Sequence, residues 1–365
     1  MKQTIIMIVI GLLLSLSSCN RPTDPQDGNR QPADSLLIKQ EGRQNAVYYW
    51  KTVFDPDSIE LAFLCSHNIT RMYIRYFDVI YDPTHAPESL VPNATIQFKQ
   101  SVPDGIEVIP TIFITNEAMA NWPVERMLDS KSDEYYYDQL LYRIQAMNQR
   151  NGIKGVREVQ VDCDWSVSTR YKFFMFCEGL KSRLRNRGLC LSSTIRLHQL
   201  KEPLPPVDRG VLMCYNTGSL RNISAQNSIL SESDVYSYIR HLEITEESIP
   251  IDIAYPTFAW SVMFAPDRRF LGIVRKNDLS DTEYFRKVED NLYEVIKETT
   301  SGNAILKKGN LLRLEQSDYC TIKSIKGQLD TKFAHAGTAP NIILYHLDSN
   351  NLSKYSHEEI ESLYQ

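Results

Sequence analysis

Residues 157–166 read Arg-Glu-Val-Gln-Val-Asp-Cys-Asp-Trp-Ser, and this stretch decides the fold. Side chains of a strand alternate between its two faces. An extended conformation therefore places two valines and a cysteine on one face, and Gln160, Asp162 and Asp164 on the other. An apolar outer face and a carboxylate-bearing inner face fit a closed barrel that is covered by helices. Carboxylates at the C-terminal end of a barrel strand usually serve chemistry or ligand binding.

The rest of the chain alternates strand-like and helix-like segments. Eight segments rich in β-branched and aromatic residues are predicted as strands. These are residues 45–52, 70–79, 106–115, 157–166, 189–197, 209–217, 249–260 and 341–347. Helical patterns cover residues 59–65, 133–150, 169–187, 231–242 and 356–364. This order predicts the α/β class and a (β/α)8 TIM-like barrel. A doubly wound open sheet is the main alternative, but no glycine-rich phosphate loop follows the first strand.

A long connection separates the seventh and eighth strands, with roughly 80 residues where a βα connection usually has only a few. We expect it to contain a helix at Asp281–Thr299 and short strands around residues 304–307 and 311–314. We therefore predict that residues 45–365 form the barrel, with an insertion from about 265 to 338 packed on the barrel mouth. A small second domain is the alternative.

The N-terminus predicts export. Lys2 precedes an apolar run that is too short to span a bilayer comfortably, so residues 1–18 are predicted to be a signal peptide. The sequence Leu-Ser-Ser-Cys that ends at Cys19 resembles a bacterial lipobox, which implies cleavage before Cys19 and its acylation, including palmitate. A short membrane anchor or an uncleaved signal is the alternative.

The segment after Cys19 also bears on location. Residues 19–44 are polar and rich in Pro, and we predict that they form a flexible tether. Asn20 stands where the inner-membrane retention aspartate would be, which favours the outer membrane of the cell envelope.

Composition excludes several functions. The formal net charge is −5, or −6 once a signal peptide carrying Lys2 is removed, and no basic cluster occurs. Nucleic acid is therefore not expected as a partner. Six cysteines other than Cys19 have irregular spacing, so buried free thiols are a better explanation than disulfides. Neither the cysteines nor the histidines show metal-ligand spacing, and we predict no metal and no cofactor. No Gly-x-Ser-x-Gly elbow of an esterase is present.

Two strands carry a resemblance to a known family. Val161–Ser166 resembles the fourth-strand signature of family 18 glycoside hydrolases, an Asp-x-Asp-x-Glu pattern that often has Trp before the Glu. Residues 213–216, Met-Cys-Tyr-Asn, are similar to the Met-x-Tyr-Asp/Asn strand of that superfamily. The resemblance implies a glycosidase-like TIM barrel. The proton-donating glutamate of the family falls on Ser166, so its substrate-assisted hydrolysis does not carry over. More distant glycosidase-like barrels, including lipoproteins of gut-type bacteria, resemble the chain better.

The carboxylates are the candidate catalytic groups. Asp162 and Asp164 lie at positions i and i+2 of one strand, about 6–7 Å apart. Like charges at this distance can raise one pKa, which yields an acid beside a base, as glycosidic cleavage requires. Asp78, near the end of the second strand, is a third candidate. The alternative is that Asp162 only pairs with an arginine inside the barrel, either Arg75 or Arg196.

Aromatic and amide side chains at strand ends are the candidate substrate-binding groups. Tyr215 and Asn216 end the sixth strand and can hydrogen-bond a substrate, as the family resemblance also implies. Trp50, Tyr255 and Trp260 end other strands, and flat aromatic faces stack on pyranose rings.

Arg75 completes the set of candidate binding residues, although an ion pair in the barrel core is the favoured explanation for it. His346 and Asp348, which end the eighth strand, are a weaker candidate acid/base pair.

Three functions remain open on the sequence. The first is a glycoside-hydrolase-like lipoprotein that acts on a poly- or oligosaccharide. The second is a carbohydrate-binding lipoprotein without catalysis, which the serine at position 166 suggests. The third is a scaffold component of an outer-membrane complex.

Overall fold

Eight parallel strands close into a barrel. The computed structural model describes residues 43–85, 89–123, 133–240, 242–245, 248–275 and 277–365. The barrel strands are Asn45–Tyr49, Ile69–Tyr81, Glu107–Ile114, Glu158–Cys163, Cys190–Arg196, Arg209–Met213, Ile251–Pro256 and Ile342–Tyr345. The first strand pairs with both the second and the eighth, which closes the ring. The predicted (β/α)8 barrel is confirmed. The predicted signal peptide, Cys19 and the tether up to residue 42 lie outside the described residues.

Helices surround the barrel and begin with side-chain caps at several places. They span Ser58–Ser66, Asn116–Ala120, Asp133–Arg150, Arg170–Arg185, Glu232–Ile239, Tyr319–His335, Ser349–Leu352 and His357–Tyr364. Asp57 forms a capping box with Glu60, and Ser356 forms one with Glu359. Short 3-10 turns lie at Pro83–His85 and Leu197–Lys201. No helix in the described part of the chain is long and apolar enough to cross a membrane.

The fourth strand has the predicted alternation. Val159 and Val161 are fully buried in the main apolar core. Glu158 accepts a 2.6 Å hydrogen bond from Arg71 of the second strand, and Gln160 accepts one of 2.7 Å from Tyr48 of the first strand. Contacts between the fourth strand and these two strands can only cross the barrel interior. The polar face of the fourth strand therefore points into the lumen.

An antiparallel five-stranded sheet lies between the seventh and eighth barrel strands. Its strands are Ala259–Phe264, Phe270–Arg275, Phe285–Lys287, Leu292–Val295 and Leu311–Gln316. A hairpin of Thr299–Ser301 and Ala304–Leu306 accompanies it. A second apolar core, separate from that of the barrel, contains Phe285, Val295 and Leu312. The predicted long insertion is present.

Two details of the insertion differ from the prediction. The expected helix at Asp281–Thr299 is wrong, because this stretch forms strands that turn at Asp290 and Asn291 and bury Phe285 and Val295. The insertion sheet also begins at Ala259 rather than near residue 265. The helix Tyr319–His335 buries Ile322, Ile325, Leu329 and Phe333 in the main core, so it belongs to the ring of barrel helices.

Short strands extend the second barrel strand and its loop. Leu90–Asn93 pairs antiparallel with the end of the second strand, and Val53–Phe54 pairs with Gln97–Phe98. The six cysteines in the described residues are unpaired, and Cys163, Cys177 and Cys214 are buried.

Candidate functional site

A single guanidinium holds both carboxylates at the end of the fourth strand. Arg196, the last residue of the fifth strand, donates from Nη2 to Oδ1 of Asp162 at 2.9 Å, and its Nε contacts Oδ1 of Asp164. Thr194 Oγ1 donates a further 2.5 Å hydrogen bond to the same oxygen of Asp162. Both aspartates therefore lie at the C-terminal end of the barrel, bridged by one arginine.

The two carboxylates have different surroundings. Asp162 is buried, whereas the Asp164 side chain is 55% exposed. Burial raises the pKa of the Asp162 carboxyl, and the charge of Arg196 offsets part of that rise. The nearby carboxylates raise the pKa of Arg196, so its guanidinium remains charged. The site thus contains one permanent positive charge between two acidic groups.

Ser166 lies in the turn between the fourth strand and the next helix. Its hydroxyl is 2.9 Å from Ser168 Oγ, and its backbone N–H donates to Thr169 Oγ1 at 2.9 Å. These bonds belong to the turn that begins helix Arg170–Arg185. Trp165, beside it, is buried and stacks on Phe173. The position therefore carries a hydroxyl engaged in a turn and no carboxylic acid.

Tyr345 connects the aromatic residues of the barrel mouth. It ends the eighth strand, and its ring centroid is 5.0 Å from Tyr215 and 5.7 Å from Trp50. Phe258 packs edge-on against Tyr345 at 5.8 Å and lies 5.0 Å from Trp260. Rings from the first, sixth and eighth strands and from the insertion thus form one continuous cluster.

The acidic and aromatic groups meet at Tyr215. Burial raises the pKa of the Tyr215 hydroxyl, and Arg196 acts in the opposite direction as a hydrogen-bonding cation. The hydroxyl also lies 3.5 Å from Met213 Sδ. Tyr215 therefore touches both the arginine that binds the aspartates and the aromatic cluster.

Arg75 and Asp78 form a separate ion pair at the same end of the barrel. Arg75 Nε donates to Asp78 Oδ1 at 2.7 Å, and its guanidinium lies 5.4 Å from the ring of Trp50. Asp78 is buried, so its carboxylate is engaged rather than free. Arg75 contributes only a distant charge to Asp162, whose direct partner is Arg196.

Trp260 is fixed by a buried polar network of the insertion. Its Nε1 donates to Glu315 Oε2 at 2.7 Å, and Ser228 Oγ donates to the same oxygen at 2.5 Å. Arg313 Nε donates to Glu315 Oε1 at 2.7 Å, and both charged side chains are fully buried. The indole ring is half-buried at the edge of the aromatic cluster. Its orientation thus depends on residues more than 50 positions later in the chain.

Two candidate residues lie apart from this cluster. Tyr255 is fully buried, and its closest charged neighbours include Asp330 of helix Tyr319–His335, so its ring lies between the barrel and the helices. Asn216 is exposed with φ of 56°, a left-handed conformation that asparagine tolerates. Its N–H donates to Ile229 O at 2.7 Å.

Arg196 and Tyr345 are the central residues that sequence reasoning left out of the candidate site. Each ends a barrel strand, and polar or aromatic residues at strand ends were the signal used for the other candidates. His346, next to Tyr345, is largely buried, and burial lowers its pKa. Asp348 caps helix Ser349–Leu352 and pairs with Lys51 at 3.2 Å, and its charge opposes the effect of burial on the pKa of His346. An acid/base role for these two residues stays a prediction.

Solved structures with a similar barrel include two enzymes. The spore cortex-lytic enzyme SleL of Bacillus cereus is similar with a TM-score of 0.50 and 15% identity over 88% of this chain and 74% of that chain. Catalytic domain 2 of the Group II chitinase of Ostrinia furnacalis has a TM-score of 0.50 and 9% identity over 88% of this chain and 95% of that domain. No protein-family model and no curated protein sequence matches the chain. At these identities the likeness shows the fold alone, that of a (β/α)8 barrel.

Proposed function

We propose that the barrel mouth binds a poly- or oligosaccharide without hydrolysing it. The observation that carries this proposal is the arginine shared by Asp162 and Asp164. Glycosidic cleavage needs one carboxylic acid that donates a proton and a second group that acts as base or stabilises positive charge. In the structure both carboxylates point to the same guanidinium, so they form one ion-paired group rather than a separate acid and base.

The serine at position 166 supports the same conclusion. The family pattern has its proton donor at this position, and a serine hydroxyl is far too weak an acid to replace it. The Ser166 hydroxyl is also engaged with neighbouring hydroxyls of its turn. The donor position therefore provides no carboxylic acid.

The aromatic cluster supports a saccharide as the ligand. Trp50, Tyr345, Phe258 and Trp260 form a row of rings beside charged and hydroxyl groups. Sugar rings present apolar C–H faces and polar edges, which such a combination can bind. The insect chitinase domain with the same fold was solved in complex with a chito-oligosaccharide. We therefore include N-acetylglucosamine oligomers among the first ligands to test.

Hydrolysis is the second candidate function. It is favoured by burial, which raises the pKa of Asp162, and by the exposure of Asp164 to solvent at the mouth. If a bound substrate displaced Arg196, Asp164 could act as the acid/base group with Asp162 in support.

We further propose that the protein is a lipoprotein that is anchored through Cys19 in the outer membrane of the cell envelope. The short apolar run and the lipobox-like sequence before Cys19 support this proposal. Metabolic labelling with a palmitate analogue tests it, since a Cys19→Ala variant should lose the label and the membrane association. Recovery of the wild-type protein in the inner-membrane fraction would contradict the outer-membrane part of the proposal.

A glycan array followed by calorimetry and a reducing-end assay tests the function. We expect saccharide binding and no release of reducing ends with either the wild type or Asp164→Asn. Asp267→Asn serves as the matched control, because Asp267 is an exposed aspartate of the insertion, its ion pair with Arg269 is 3.9 Å long, and an asparagine oxygen can still accept the hydrogen bond from the Arg269 backbone N–H. Turnover that is lost in Asp164→Asn and kept in Asp267→Asn would establish the hydrolase instead. Absence of any saccharide binding, together with capture of a membrane protein, would favour the scaffold function.

A further inference from the structure

Three potential metal ligands meet at the end of the barrel opposite the mouth. His67 lies between helix Ser58–Ser66 and the start of the second barrel strand. His357 and Glu361 lie on the C-terminal helix His357–Tyr364. One ligand atom from each of the three residues falls within 4.8 Å of the other two. Sequence reasoning found no metal-ligand spacing for these histidines, because His67 is almost 300 positions from its partners.

The contacts within this group are already close. His67 Nδ1 lies 2.6 Å from Glu361 Oε1, and the rings of His67 and His357 stack with their centroids 4.6 Å apart. His67 is buried, Glu361 is partly buried and His357 is exposed. The group therefore has one fixed imidazole, one carboxylate that touches it, and a second imidazole at the surface that can rotate.

The spacing on the C-terminal helix suits chelation. His357 and Glu361 are four residues apart, which puts both side chains on the same face of the helix. Pairs of ligands at this spacing are a common way for a helix to hold zinc, with a third ligand supplied from elsewhere in the fold. His67 comes from the opposite end of the chain and faces this pair.

We propose that His67, His357 and Glu361 bind a divalent transition-metal ion, of which Zn²⁺ is the best fit. Two imidazoles and one carboxylate are a donor set that suits Zn²⁺, and hard cations such as Mg²⁺ prefer oxygen ligands. A solvent molecule would complete a tetrahedral shell. The ring nitrogen of His67 that binds the metal must carry no hydrogen, because each ligand atom must offer a lone pair.

The geometry requires only a small adjustment. Tetrahedral Zn²⁺ with bonds of about 2.0–2.1 Å holds its ligand atoms roughly 3.3 Å apart. The His67–Glu361 contact must lengthen slightly, and the ring nitrogen of His357 must move inward by at most about 1.5 Å, since the three ligand atoms lie within 4.8 Å of one another. His357 is exposed and begins its helix, so a change of side-chain rotamer provides this movement without a change in the core.

Such an ion would connect the segment before the second barrel strand with the C-terminal helix. His67 precedes the second strand, and its imidazole stacks on that of His357 at the start of the C-terminal helix. A metal bound here stabilises the folded state only, because the unfolded chain keeps these residues far apart. The proposal is independent of the saccharide site, which lies at the other end of the strands.

Zinc titration of the full-length protein, made without an affinity tag and treated with EDTA, tests the proposal. We expect one Zn²⁺ per chain by calorimetry, a rise in Tm on addition of Zn²⁺, and visible absorption typical of tetrahedral coordination with Co²⁺. His357→Ala and Glu361→Gln should each weaken Zn²⁺ binding at least about tenfold. Both changes lie at partly or fully exposed positions, so the variants are expected to fold. His335→Ala is the matched control, because His335 is an exposed helical histidine outside the group.

Two results would overturn the proposal. One is the absence of stoichiometric Zn²⁺ binding and of any shift in Tm, which would leave the His67–Glu361 contact as an ordinary hydrogen bond. The other is undiminished Zn²⁺ affinity in both His357→Ala and Glu361→Gln, which would place the bound ion elsewhere.

Discussion

Arg196 Nη2 lies 2.9 Å from Asp162 Oδ1, and both side chains are largely removed from solvent. This contact joins the ends of the fourth and fifth barrel strands. It determines how the site behaves, because a buried charge is tolerated only while its partner remains in place.

Removal of Arg196 should destabilise the protein strongly. Arg196→Met leaves Asp162 buried without its partner, and we expect a loss of about 3–5 kcal/mol in the free energy of unfolding. The double variant Asp162→Asn with Arg196→Met should lose less than the single variant, because no unpaired charge remains. Urea denaturation measures both.

Arg286→Met is the control for this pair, since Arg286 forms an exposed ion pair with Glu294 and should change stability by less than about 1 kcal/mol. Equal losses in the single and double variants would show that the ion pair is not the cause.

Stability should depend on pH through Asp162. Burial raises its pKa in the folded state above the value of about 3.9 in an unfolded chain. The folded protein therefore holds this proton more tightly, and the free energy of unfolding should fall as the pH rises from about 4 through the folded pKa. Asp162→Asn cannot titrate and should lack this decrease.

Urea midpoints measured from about pH 4 to about pH 7 for the wild type and Asp162→Asn would reveal the difference. Burial also raises the pKa of Asp252 beside Arg209, but this group is present in both proteins and cancels in the comparison. Parallel pH profiles would argue against a raised pKa at Asp162.

Trp260 should contribute to saccharide affinity. Loss of a stacking ring costs on the order of 1–1.5 kcal/mol, so Trp260→Ala should weaken binding by about tenfold. Trp260→Phe keeps an aromatic face but loses the bond to Glu315, and we expect an intermediate affinity. Calorimetry with the best array ligand measures the effect. Tyr142→Ala removes an exposed aromatic ring from a barrel helix and should bind the saccharide as the wild type does. If Tyr142→Ala lost as much affinity as Trp260→Ala, Trp260 would have no specific role in binding.

Two helical glycines should respond to alanine in opposite ways. A Cβ on Gly179 would overlap the hydroxyl oxygen of Tyr137 and lie 2.6 Å from Cζ of its ring, whereas one on Gly327 would meet nothing within 4 Å. Gly327→Ala should stabilise the protein by up to about 1 kcal/mol through helix propensity. Gly179→Ala should destabilise it by about 1–3 kcal/mol, because the overpacking exceeds that gain. Thermal and urea unfolding test the signs, and a stabilising Gly179→Ala would mean that the Tyr137 ring moves aside easily.

The barrel was predictable because each strand carries its own local signal. The alternation around Asp162 and the helical spacing after Thr169 depend on nearest neighbours in the chain, and both recur in the structure. The insertion was less predictable. Asp281–Thr299 contains charged residues that suit a helix, and only packing around Phe285 and Val295 selects strands.

The candidate site was predictable in its position but not in its pairing. Strand ends identify Asp162, Asp164, Trp50 and Tyr215, because parallel strands all end at the same face of a barrel. Asp162 pairs with Arg196 rather than Arg75 because the fifth strand lies next to the fourth strand. No local sequence pattern specifies this pairing. Tyr255 was predicted to face the barrel mouth, and this prediction was wrong. Side chains alternate along the seventh strand, and Tyr255 occupies a position that faces the helices.

Closure of the barrel has a consequence for the order of events during synthesis. Val47 pairs with Leu344, which lies about 300 residues later, so the ring cannot close until the eighth strand has been synthesised and, in an exported protein, has crossed the inner membrane. Until then the first and seventh strands have unpaired edges that can bind other chains. The nascent protein is therefore expected to depend on holding chaperones until its last helix emerges, and truncations that remove the eighth strand should aggregate rather than fold.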